Sequence, residues 1–460
     1  MPSQQADLVE HFADLSAEAS FSALGPQAVE AAKQSIFDTI GVSLGASGLE
    51  KSVATVLDLA REAGGRAEAT VIASGLSLPA EAAAFVNGAM AHCLDFDDYT
   101  DWGHHAASTL VPAAFAVAEK RGGVSGKEMI TAVAVGQDIF GRLRRHVEWQ
   151  QDWNISPVMG VFAGAAAASR VLGLSARETS NAMGIASMSA SGTMEVVRGN
   201  SDVRGIYAAF SARGAVNAAL LASRGVSGLD TLFEGTYGFL NTYFAGKYDR
   251  EAILDGLGSD FLGAATLYKR WASVSTSHSH IHAVLQLREE HHFDADDVDE
   301  IRVYVGDWHQ VMCTPLEVRR APGSALDAKF SLPYLLAVAV DRGEVGVRDF
   351  TAERREDPRI RQLASKVVPV PDSDLDWKLE IPAGRVEVTL TDGRCLEKKG
   401  SDVPGTRQAP LTWDQLASKF DDCARASALD LPAHELRRIR GLAENLETLD
   451  DAVDLIRAIA

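Results

Sequence analysis

The chain has 460 residues, 46% of them hydrophobic and 23% charged, so it can bury a sizeable core in about two or three domain-sized units, and wholesale disorder is not expected. Its net charge of −19 argues against nucleic-acid or anionic-membrane partners, which need clustered Lys and Arg, but leaves room for a small acidic substrate in a locally basic site. Four scattered cysteines (Cys93, Cys313, Cys395, Cys423) without CxxC spacing fit reduced thiols in a cytoplasmic protein better than disulfides or structural zinc.

The opening stretch MPSQQADLVEHFADL has neither a basic start nor an apolar h-region, so no signal peptide is expected. The sequence also reads as lacking a run of about 18 apolar residues that could span a membrane. The first half is a succession of helices. GPQAVEAAKQSIFDTIGVSLGAS places Pro26 near a helix start, with Val29, Ala32, Ile36, Ile40 and Leu44 on one face. PAEAAAFVNGAMAHCLDFDD predicts another helix with Pro79 in its first turn and an acidic cluster beyond its end. TLVPAAFAVAEKRG and GKEMITAVAVGQDIFGRL continue the pattern. GVFAGAAAASRVLGL and IYAAFSARGAVNAALLASRG are so rich in Gly and Ala that neighbouring helices must approach closely.

The texture changes after about residue 270. DEIRVYVG alternates as a strand does, and GRVEVTLTDGRCLEKKG predicts a hairpin turning at Asp392-Gly393. HIHAVLQLREEH and FSLPYLLAVAVDRG are helical stretches between them. Thr412 and Gln415 form a capping-box signature from which helices resume to the C-terminus. The expected fold is mostly α with a second α+β domain. A large helical domain over 1–267, completed by 406–460, receives a smaller α+β domain over 268–405.

Two segments concentrate titratable groups. In CLDFDDYTDWGHHAAST, Asp95, Asp97, Asp98 and Asp101 precede His104 and His105. Single aspartates are ordinary turn formers, but a carboxylate beside an imidazole fixes the tautomer and tunes its pKa, so acid/base use is preferred over a metal site. In YKRWASVSTSHSHIHAVLQ, His278, His280 and His282 alternate downstream of Lys269 and Arg270, with hydroxyl residues between. An HxH on a strand would be a weak zinc-hydrolase signal. The two patches, about 170 residues apart, are expected to serve one cleft.

The stretch AAAFVNGAMAHCLDFDD…HHAASTLVPAAFAVAE resembles the signature of the MmgE/PrpD family, which includes 2-methylcitrate dehydratase, cis-aconitate decarboxylase and iminodisuccinate epimerase. The likeness continues through VFAGAAAASRVLGL, AVNAALLASRGVSG, YKRWASVSTSH and AKFSLPYLLAVAVDRGEV, over roughly residues 25–400. It implies a helical main domain with an α+β lid, a homodimer, and catalysis with no metal or organic cofactor. It places the family's motif aspartate on Asp95 and its following histidine on His105. Here the usual proline is missing and His104 is an added neighbour. Lys269 is retained, the segment's terminal histidine falls on His278, and Tyr334 in KFSLPY matches a tyrosine that approaches the site in some members.

Three positions depart from the pattern: Tyr99 for threonine, Asn154 for histidine, and Arg204 for lysine. What the resemblance implies is proton abstraction next to a carboxylate. His105 and His278 are the expected acid/base pair, with Asp95 orienting an imidazole or binding substrate. Tyr99 is a further donor, and Arg204, Lys269, Asn154, His104 and Tyr334 are expected to contact a small anionic carboxylate. The expected activity is a cytoplasmic, cofactor-independent lyase that dehydrates, hydrates or decarboxylates a 2-methylcitrate- or cis-aconitate-like acid. The alternatives are a dicarboxylate isomerase or epimerase, a metallohydrolase using His278 and His280, and a noncatalytic family member.

Overall fold

The apolar periodicities of the first half all become helices in a computed structural model of the protein, which describes residues 5–199, 201–376 and 383–460. The first four residues, part of the stretch examined for a leader, lie outside that range. The chain divides into two units: residues 1–93, 97–266 and 413–460 form the first, and residues 94–96 and 267–412 the second.

The first unit is helical. Its elements are α1 (Leu8–Glu18), α2 (Pro26–Leu49), α3 (Lys51–Ala63), α4 (Ala80–His92), α5 (Ala107–Arg121), α6 (Gly126–Arg145), α7 (Ile155–Leu172), α8 (Ala176–Ala186), the short α9 (Glu195–Arg198) and α10 (Val203–Ala222). Local chemistry sets the starts. Asp7 caps α1 through Val9 N–H, Pro26 opens α2, and Ser125/Glu128 and Ser175/Glu178 form capping boxes on α6 and α8. α7 runs through the middle, against α5, α6, α8 and α10.

The expectation that no apolar run is long enough to cross a membrane is corrected here. The 18 residues of α7 pass that test by length and composition, but 89% of them are buried inside the unit. An all-round apolar helix is what a core helix requires.

Small side chains let these helices close on one another. A Cβ on Gly88 of α4 would lie 3.0 Å from the carbonyl of Ala208 and from Cα of Ala209 on α10, so the two backbones are nearly in contact. The chain returns to this unit with the helix Trp413–Arg425, which packs on α2. Phe420 stacks on Phe37 with ring centroids 4.5 Å apart, and Lys419 forms a buried ion pair with Asp38 at 2.6 Å.

The second unit carries a four-stranded sheet. Val298–Val305 pairs in parallel with Val367–Pro371 and antiparallel with Arg385–Leu390, which continues into the hairpin partner Cys395–Lys399. The alternation read from the sequence puts Val298, Ile301, Val303 and Val305 inside, facing the core with Val386, Val388 and Leu390. Gly393, at φ +88°, supplies the turn conformation that its partner Asp392 prepares. The helix His278–His291 covers the two hairpin strands, and the helix Leu332–Arg342 packs against it.

His280 is locked in this second core. Its Nε2 donates to the Tyr304 carbonyl at 2.8 Å, its ring meets His309 at 4.8 Å, and it packs on Gly384, where an added Cβ would lie 2.6 Å from the ring. Burial, with the neighbouring His309, pushes its pKa down from 6.5 to about 3. The native imidazole stays neutral while the unfolded one protonates below 6.5, so the protein loses stability as pH falls from 6.5 towards 3. Urea midpoints should drop between about pH 7.5 and 5, and His280→Gln should flatten that dependence by up to about 1.4 kcal/mol per pH unit. An unchanged slope would remove His280 from the account.

Candidate functional site

In the first unit α4 ends at His92 and α5 begins at Ala107, and the segment 97–106 folds across the gap between them. Asp97 is fully buried there. Its Oδ2 accepts from His92 Nδ1 at 2.8 Å and lies 3.5 Å from His105 Nδ1. His105 Nδ1 also meets the carbonyl oxygen of Asp98. A carbonyl can only accept, so Nδ1 carries the proton and Nε2 is the basic nitrogen.

The His105 ring is pinned further: its backbone N–H donates to Ser156 Oγ at 3.1 Å, and His92 packs beside it with ring centroids 5.1 Å apart. His92 itself lies on Tyr207 of α10 at 4.1 Å. The Asp98 carboxylate has a different task. It accepts from Ala106 N–H and Ala107 N–H at the start of α5, and burial, then the neighbouring Asp97, raise its pKa to about 8.

His104, next to His105, has left-handed backbone at φ +78°. Its Nδ1 accepts from Arg144 Nε at 2.8 Å, and the Trp149 ring stands edge-on to it at 4.8 Å. Burial, then the Arg144 charge, hold its pKa well below the ordinary histidine value. Tyr99 is buried, and burial raises its phenol, so it can donate a proton in a hydrogen bond but is a poor base. Asn154 is buried at the start of α7. Its Nδ2 has no hydrogen-bond partner, which marks a donor awaiting an acceptor. Arg204 sits in the first turn of α10 and donates to the Val197 carbonyl, so one arm of its guanidinium serves the main chain.

The second unit holds the other sequence candidates. The Lys269 ammonium is buried against Asp95, bonding its carbonyl at 2.8 Å and its carboxylate. Asp95 has left-handed backbone at φ +51°. His278 opens its helix, with its Nε2 buried and lacking a hydrogen-bond partner. Burial, then the Lys269 charge, push its pKa down to about 3, so it is neutral near pH 7 and a weak base in this state.

Several expectations need correction. Asp95 pairs with Lys269 and acts through its charge on His278, while the carboxylate that holds His92 and lies beside His105 is Asp97, which the sequence did not single out. Tyr334 is a core residue of the second unit, fully buried, with its hydroxyl donating to the Asp349 carbonyl. The HSHIH segment is the first turn of a helix, so His278 and His280 project in different directions and cannot act as an HxH strand pair.

A metal could be considered at His92, Asp97 and His105, whose ligand atoms lie within 4.8 Å of one another. The donor set fits hydrogen bonding better. His105 Nδ1 faces a carbonyl and His92 Nδ1 faces a carboxylate, so both nitrogens present protons where a metal needs lone pairs. His92 escaped notice in the sequence because it stands just before the acidic run. Arg144 escaped because basic residues are commonplace in the last turn of a helix.

A helical unit with imidazoles held by a buried carboxylate, joined in one chain to a small α+β unit, has the character of an enzyme that works by acid–base chemistry. Two family models match in tandem: the MmgE/PrpD N-terminal domain over residues 10–251 and the MmgE/PrpD C-terminal domain over 271–447. The chain belongs to the MmgE/PrpD family. It is 29% identical over 409 residues to the cis-aconitate decarboxylase-like protein oryM of Aspergillus oryzae, covering 83% of this chain and 82% of that protein. It is 26% identical to cis-aconitate decarboxylase of Aspergillus terreus over 412 residues (85% and 83%) and to that of Mus musculus over 400 (83% and 79%).

Proposed function

We propose that the protein is a lyase acting on a small polycarboxylate by proton transfer at a carbon next to a carboxylate, with no metal or organic cofactor. The observation that carries this reading is the tautomer of His105. With Nδ1–H held by the Asp98 carbonyl and Asp97 beside it, Nε2 can take a proton, and the imidazolium that results is stabilised by the buried carboxylate. In a dehydration, Nε2 removes the C–H proton, the electron pair forms the alkene, and hydroxide leaves with a proton as water. In a decarboxylation, the C–C pair remains on carbon as CO2 departs, and an acid returns a proton. Asn154 Nδ2, a buried donor without a partner, suits a substrate oxygen.

The relatives' names make cis-aconitate the first substrate to try. Purified protein would be incubated with cis-aconitate, 2-methylcitrate and citrate, following alkene absorbance and NMR in deuterated water. Turnover of any of them, abolished in His105→Ala, supports the reading. Deuterium incorporation without net loss of a group would assign an isomerase instead. His278→Ala in the same assay asks whether the second unit's histidine serves that turnover.

The protein is further proposed to act as a homodimer through α10. That helix leaves Val203, Phe210 and Leu221 about 40% exposed, and Arg213 lies over the Phe85 and Phe210 rings. Aromatic residues with arginine are typical of a buried interface centre. Light scattering should read twice 49.1 kDa for the wild type and the monomer mass for Phe210→Glu. A monomeric wild type would refute the dimer.

A further inference from the structure

Arg144 is a part-buried guanidinium with no carboxylate partner among the described residues, in a chain with 63 acidic residues against 44 Lys and Arg. Such a charge is normally paired, because desolvating it otherwise costs several kcal/mol, on the order of what a buried ion pair recovers. Here its recorded contacts are the imidazole of His104, through Nε, and the Trp149 face 5.3 Å away. Both leave the two terminal nitrogens, the fork that matches a carboxylate, without a recorded protein acceptor.

The contact also sets the chemistry of His104. A guanidinium cannot accept, so His104 Nδ1 must carry the lone pair and Nε2 the proton. His104 therefore turns a second donor outward. Its left-handed backbone, unfavourable for histidine by about 1–2 kcal/mol, is held by its surroundings, as is common at ligand-binding positions. Two residues earlier, the indole N–H of Trp102 is buried with no acceptor.

We propose that Arg144 and His104 form a carboxylate-recognition fork: the Arg144 terminal nitrogens hold one carboxylate of the substrate, and His104 Nε2–H bonds the same group. Trp149 walls the guanidinium and keeps its plane fixed. Because His105 follows directly in the chain, an anion held here lies next to the residue assigned the proton transfer. Adjacent residues thus have opposite tautomers for different tasks: His104 offers N–H to the anion, and His105 offers a lone pair. The inference rests on the polycarboxylate reading for the identity of its ligand, but not for its test.

The test is calorimetric binding of tricarballylate, a saturated tricarboxylate without an alkene or hydroxyl, to the full-length protein. Arg144→Gln should weaken binding by about 10- to 100-fold, the loss expected for hydrogen bonds to a charged group. Arg144→Lys should recover part of the affinity, because it keeps the charge and loses the fork. His104→Asn, which tolerates the left-handed backbone, should weaken binding less than Arg144→Gln. In turnover, Arg144→Gln should raise KM more than it lowers kcat.

Equal affinity in wild type and in Arg144→Gln that melts like the wild type would overturn the proposal, and so would a wild type that binds neither tricarballylate nor succinate. The two readings separate cleanly. Arg144-dependent binding without turnover of any acid keeps the fork and removes the lyase. Turnover with an unchanged KM in Arg144→Gln keeps the lyase and removes the fork.

Discussion

His105→Gln should lower kcat by about 10²- to 10⁴-fold, the range general acid–base groups supply, while tricarballylate binding changes little. Glutamine fills a similar volume and can still bond the Asp98 carbonyl, so the loss would report the missing basic nitrogen rather than a collapsed loop. Asp97→Asn should fall between the variant and the wild type. The amide keeps one acceptor for His92 and His105 but removes the charge that stabilises an imidazolium. The pH–rate profile distinguishes the two: His105→Gln removes the ascending limb governed by an imidazole, whereas Asp97→Asn moves that limb to lower pH. A His105→Gln enzyme with wild-type kcat would show that the proton is handled elsewhere.

Lys269→Met should cost about 3–5 kcal/mol of stability, because it leaves the Asp95 carboxylate facing a site from which its counter-charge has gone. Calorimetric unfolding should show the loss, and the double variant Asp95→Asn/Lys269→Met should recover much of it. The same substitution removes the second-largest influence on His278, after burial. With the ammonium absent, the His278 pKa should move up towards 6.5, visible as a shifted titration of its ring protons. A double variant no more stable than Lys269→Met alone would mean that the pair is not what the lysine contributes.

Much of the architecture was legible because it follows from simple periodicities. Val29, Ala32, Ile36 and Ile40 recur at helical spacing, and Val386, Val388 and Leu390 alternate ahead of an Asp-Gly turn; both patterns appear as read. The α7 run was missed as a membrane-length segment because its Ser and Gly residues dilute the apolar signal while leaving mean hydropathy at 1.5. HIHAVLQLREEH is helical as read, but the period of two in HSHIH kept a strand alternative open for its first residues. Three alternating positions are too few to separate a strand from the first turn of a helix, and the 3₁₀ turn Ser275–Ser277 leads into the helix.

Within the site, the acidic run drew attention to the right segment but could not rank its members. Four aspartates have the same side chain, and their roles diverge only through the path of the backbone. Asp95, with positive φ, meets Lys269, Asp97 is buried between imidazoles, and Asp98 caps α5. Tyr334 was picked on likeness alone, and nothing in its local pattern distinguishes a core tyrosine from a pocket tyrosine. Arg144 carried no signal because its importance comes from the absence of an acidic neighbour, which exists only after folding.

Gly88 stands one helical turn before His92, and its missing Cβ is what lets α4 lie against α10, where Tyr207 meets the His92 ring. The position of an imidazole is therefore dictated by the spacing of two backbones and not by any group with chemistry of its own. A single methyl at Gly88 would act as a shim that tilts the His92 ring against Asp97, so the geometry of this cluster can be retuned through a residue with no side chain of its own.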